Sequence, residues 1–127
     1  MKSFLFIAAI INAAVAVVHI IIGEAEILAP LLASDAPELV QATLRSAWHM
    51  ISVVLLVSSI ALFYAGLGDR HHPRVTELPT YIGIQYIALA LVFVVTSFVY
   101  GQFFIQIVML LPIGVLSLWA GRLARSA

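Results

Sequence analysis

The 127-residue sequence predicts an all-α protein: a four-transmembrane-helix up-down bundle of two antiparallel helical hairpins, with both termini in the cytoplasm. Composition, four apolar runs of spanning length and the placement of basic residues lead there. The chain is 64% hydrophobic and 9% charged, where an ordinary soluble domain carries about a quarter charged residues. Six Lys and Arg balance six Asp and Glu without forming a basic patch, so no nucleic-acid partner is expected. The absence of cysteine removes disulfides, thiolate metal sites and cysteine nucleophiles from the possible chemistry.

A hydrocarbon layer about 30 Å thick takes roughly 20 helical residues to cross. Residues 3–23, 47–67, 79–100 and 103–121 each supply such a run. The runs are too long and too continuously apolar for barrel strands, and a helix satisfies its own backbone in lipid. One integral membrane domain over 1–127 follows, with an outer loop at 24–46 and an inner loop at 68–78. The first run carries "NAAVA", the small-residue spacing of a signal cleavage site. It then continues through "VVHIII" without a polar break, which predicts a retained helix.

Lys2, Arg70, Arg74, Arg122 and Arg125 fall on one side of this arrangement and Arg45 on the other. The bias places the termini and the inner loop in the cytoplasm, most naturally of a bacterial plasma (inner) membrane.

Within the outer loop, Ile27, Leu28, Leu31 and Leu32 around Pro30 suggest a segment lying at the membrane surface. "DAPE" then reads as a helix start, with Asp35 as N-cap and Glu38 reaching back. Pro73 and Pro79 read as breakers of the inner loop. "YGQ" should join the last two helices in a tight hairpin, and Pro112 should kink the fourth.

The polar residues inside the runs fall into stripes. On the first helix Asn12, His19 and Glu26 join Ala9, Ala16 and Gly23 at steps of three and four. On the second, Arg45, His49, Ser52 and Ser59 share a face. Facing stripes would bring His19 and His49 together in the outer half, with Glu26 pairing Arg45 above and Asn12 reaching toward Ser52 and Ser59 below. Gln106 lies at about the same depth. Gly83, Ala90, Ser97 and Gly101, then Gly114, Ser117 and Gly121, permit close approach of the last two helices. Tyr64, Tyr81, Tyr86, Trp48 and Trp119 read mainly as interfacial anchors.

Polar groups in hydrocarbon are functional candidates by default. The candidate layer is therefore His19, His49 and Gln106, and His19, His49 and Glu26 form a candidate metal set. Three functions fit it. The favoured one is a small accessory or binding component in which Asn12, Arg45, Ser52 and Ser59 hold the first hairpin together. Two histidines on adjacent helices also suit a b-type haem or a divalent metal. An acidic mouth above histidines suits proton, cation or small-molecule transport by an oligomer. Besides the bilayer, a homo-oligomer or a larger membrane complex is the expected partner. Ser46 lies within reach of His49, but no acid completes a catalytic set, so an enzyme is not favoured. His71 and His72 in the inner loop are a further possible metal pair.

Overall fold

The computed structural model describes residues 2–68 and 73–125, with only the backbone of Pro73 and Arg74. Among the described residues every regular element is helical. Helix α1 (Lys2–Gly23) runs without interruption into a π-turn (Glu24–Leu28) and the short α2 (Ala29–Leu32). Then come α3 (Glu38–Leu67), α4 (Pro73–Tyr100) and α5 (Gln106–Arg125). Among the described residues four segments are long and apolar enough to cross a membrane: Lys2–Leu32, Glu38–Leu67, Val75–Tyr100 and Gln106–Arg125. The protein is a small multi-pass membrane protein. Its helices neighbour one another in the order α1, α3, α4, α5 and back to α1, the ring of an up-down bundle.

The outer connection is far shorter than hydropathy implies. Residues 24–46 are mostly helix, and only Ala33 to Pro37 remain as a link. The Lys2–Leu32 segment of 31 residues is about 46 Å long at 1.5 Å per residue, more than a bilayer core requires. Hydropathy marks what lies in lipid, whereas helical periodicity continues past it. Ile27, Leu28, Leu31 and Leu32 accordingly extend the first helix and form no separate surface segment.

Asp35 does not cap α3. The helix starts at Glu38 behind Pro37, whose extended backbone (φ −53°, ψ 139°) makes it the N-cap without a side-chain bond. Gln41 holds the link from the helix side, donating through Nε2 to the Ser34 and Ala36 carbonyls at 3.0 and 2.9 Å.

Neither Pro73 nor Pro79 breaks a helix. Pro73 opens α4, where its missing N–H costs nothing, and Pro79 is buried within it. Thr80 Oγ1 bonds the Thr76 carbonyl at 2.6 Å beside it, a local adjustment that intramembrane helices use around proline. The α4–α5 link is Gly101–Ile105 and opens on Gly101 at φ +64°, a left-handed ending that glycine adopts without cost. Helix α5 therefore starts at Gln106, three residues later than the hydropathy boundary, and it runs through an exposed Pro112.

The buried core occupies the half of the bundle that carries Lys2, Arg122 and Arg125, the basic end. Leu5, Ala8, Leu62, Ile82, Tyr86, Ile113 and Ala120 meet there with no exposed surface or nearly none. On α4 no residue after Ala90 is buried, and on α3 none before Ser52. Helices α4 and α5 approach most closely along Gly83, Gly114 and Gly121. A Cβ at Gly83 would lie 2.6 Å from Leu118 Cγ and 2.8 Å from the Gly114 carbonyl oxygen. Glycine here sets the separation of two backbones.

Candidate functional site

Two helices and one repeated bonding pattern build the first hairpin. Asn12 Nδ2 donates to the Leu55 carbonyl at 3.1 Å, and the same carbonyl accepts Ser59 Oγ at 2.8 Å. Seven residues away on each helix the arrangement recurs. His19 Nε2 meets the Trp48 carbonyl at 3.3 Å, and that carbonyl accepts Ser52 Oγ at 3.2 Å. Asn12 and His19 thus each bond an α3 backbone oxygen that a serine four residues on also uses. Asn12, Ser52 and Ser59 are all buried.

The upper repeat carries an aromatic lock. The His19 ring lies flat on the Trp48 indole, with centroids 4.2 Å apart and planes 7° from parallel. Gly23 opens the slot for that indole: a Cβ there would overlap Trp48 Cζ2 and stand 2.8 Å from Cε2. Trp48 Nε1 is buried and makes no hydrogen bond among the described residues. Trp48 is therefore a wedge between the helices as well as a residue near the end of a hydrophobic run.

Above the lock the charges differ from the expected pairing. Arg45 reaches Glu24, not Glu26, with Nη2 3.9 Å from Oε1, and His49 Nε2 stands 4.0 Å from Oε2 of the same carboxylate. The π-turn is the reason. Its wider turn advances each residue by less than the roughly 100° of an α-helix, which carries Glu26 out of the stripe and turns Leu28 inward. Leu28 is 1% exposed, and Glu26 is exposed. Pro30 accounts for the turn itself, since it cannot donate to the Glu26 carbonyl and its ring crowds that oxygen. The amide of Ala29 bonds Glu24 instead.

The two histidines take different partners, His19 inward on Trp48 and His49 outward on Glu24. Gln106 makes no hydrogen bond to either among the described residues. Among those residues no group of three His, Cys, Asp or Glu side chains stands close enough to hold a metal ion, so His19, His49 and Glu26 do not assemble into one. His71 and His72 lie outside the described residues.

A further polar residue departs from its expected place. Tyr86 is fully buried and is no interfacial anchor. Its hydroxyl donates to Asn12 Oδ1 at 2.8 Å and also bonds Ser58, joining α4 to the first hairpin. Its position three residues after Gly83 and four before Ala90, on the small-residue stripe, is the signal that could have revealed it.

Glu24, Arg45 and His49 crown one side of the first hairpin. On α1 that side continues through Ile20, Val17, Ala13 and Ile10, and on α3 through Val53, Leu56, Ile60 and Phe63, all exposed. Between them runs a shallow apolar groove whose floor is Ala9, Ala13 and Ser59. Both ridges descend at steps of three and four from the charged cluster, on the side turned away from α4 and α5. Comparison with protein-family models, curated proteins and solved structures finds no match to this chain.

Proposed function

We propose that the protein is a small accessory or binding component of the membrane it spans, and that the outward side of the α1–α3 hairpin is its binding face. One observation carries this reading. The Glu24 carboxylate stands between Arg45 and His49 with all three side chains about half exposed (43, 52 and 50%), on the same side of the hairpin as a groove floored by small residues that begins about 16 Å further down α1. Charged side chains at a hydrocarbon boundary are costly unless they meet partners, and small residues let another chain approach closely. The outward surfaces of α4 and α5 expose apolar residues such as Val95, Phe98 and Val115 with no ion pair above them among the described residues, which suits acyl chains.

The His19–Trp48 lock and the paired carbonyl bonds serve this role by fixing α1 against α3, so the face is presented as one rigid unit. The basic end is taken to be cytoplasmic, following Lys2, Arg122 and Arg125, in a bacterial plasma membrane. The haem, metal and transport alternatives draw less support, because His19 is engaged with Trp48 and His49 with Glu24.

Native mass spectrometry of the full chain, released from membrane fragments without prior detergent exchange, tests the proposal. The expected result is a particle containing a second chain in addition to the 13.8 kDa protomer, lost in Glu24→Arg and kept in Val95→Ala. A lone protomer in wild type, or equal retention in both variants, would overturn it.

A further inference from the structure

We infer that the partner on this face is a second copy of the same chain, arranged about a two-fold axis along the membrane normal. The inference rests on the binding-face reading above and adds the identity of the occupant. Charge placement supplies the argument. The face carries its acid, Glu24, on α1 and its bases, Arg45 and His49, on α3, and these groups share one height because they contact each other.

Two copies inserted in one membrane share one orientation, so a dimer closes only through a two-fold axis perpendicular to the bilayer. Turning one copy to face another about that axis sets α1 of each opposite α3 of its mate. Glu24 of one copy then meets Arg45 and His49 of its mate at equal height, twice over. The face is self-complementary in charge, and the small residues Ala9, Ala13 and Ser59 along it let the two hairpins approach closely. Within one chain the Glu24 contacts, at 3.9 and 4.0 Å, are too long for hydrogen bonds. Each carboxylate therefore keeps capacity for a second guanidinium.

The chain contains no cysteine, so introduced thiols report cleanly in native membranes. Ala13→Cys and Leu56→Cys, carried on separately tagged full-length chains, should crosslink to each other on oxidation. Val95→Cys and Val115→Cys, on the outward surfaces of α4 and α5, should not. Charge exchange gives the decisive comparison. A chain with Glu24→Arg and a chain with Arg45→Glu each carry like charges at the cluster, so each alone should lose the crosslink. Co-expressed, they should regain it as mixed pairs only, since every contact across the axis is then attractive although both internal pairs still repel.

Crosslinking of either charge variant alone at the wild-type level would overturn the inference. So would a native mass showing a different protein, or a phospholipid with one protomer, on the face. The first of these would leave the binding-face reading standing, and a bare protomer would remove both.

Discussion

The Tyr86 hydroxyl donates to Asn12 Oδ1 over 2.8 Å, and Asn12 passes the contact on to the Leu55 carbonyl at 3.1 Å. Three helices meet at one buried amide. Interhelical hydrogen bonds in membranes contribute about 0.6 kcal/mol on average and up to about 1.7. Tyr86→Phe and Asn12→Ala should therefore each destabilise the bundle, and their double-mutant cycle should show coupling in that range. Reversible unfolding in bicelles measures it, and additivity of the two would contradict the bond.

Gly23→Ala should push the Trp48 indole from its slot, at a cost of about 1–3 kcal/mol for an overpacked site. The Trp48 emission should shift to the red in a Trp119→Phe background. If the clash with the indole is the cause, Gly23→Ala should become nearly harmless once Trp48→Ala is present. An unchanged penalty in that double variant would point elsewhere.

Gly83→Ala acts on backbone, because the new methyl would meet the Gly114 oxygen and the Leu118 nitrogen at 2.8 Å. The Leu118 side chain, 2.6 Å away at Cγ, can turn aside, but the two backbone atoms cannot, so α4 and α5 must separate. A loss of about 1–3 kcal/mol is expected, whereas Gly101→Asn, in open space and in a conformation asparagine tolerates, should change stability by well under 1 kcal/mol. Equal effects would show that the seam is not what Gly83 serves.

Ser117 presents the opposite case. Its side chain is fully buried, and its hydroxyl has no hydrogen-bond partner among the described residues. An unsatisfied buried donor costs about 1–3 kcal/mol. Ser117→Ala removes that group and keeps the small volume that α5 packing requires, so it should leave the protein as stable as wild type or more so. A marked loss in the same unfolding assay would reveal a partner for the hydroxyl.

The spans and their antiparallel order could be read from the sequence because apolar length is a direct demand of the bilayer. Their ends could not, since α1 and α3 continue as helices where hydropathy falls, and Gly101 delays α5. The stripe with Asn12, His19 and Gly23 correctly marks the α1 surface that meets α3. It fails at Glu26, because one wide turn changes the helical phase and no periodicity rule registers that in advance. Tyr86 was missed for another reason: a tyrosine near the end of an apolar run is ordinarily an anchor, and only the position of Asn12 on another helix reveals a buried partner.

The turn at Glu24–Leu28 also divides α1 into two parts that need not vary together. Below it, a residue added or removed would rotate the whole hairpin seam by about 100° and scatter its bonds. Above it, an added or removed residue alters only the connection to α3, and one lost within the turn returns it to ordinary α-helix. Length variation among related chains should therefore collect between Gly23 and Pro37, while the stretch from Leu5 to Gly23 keeps its count.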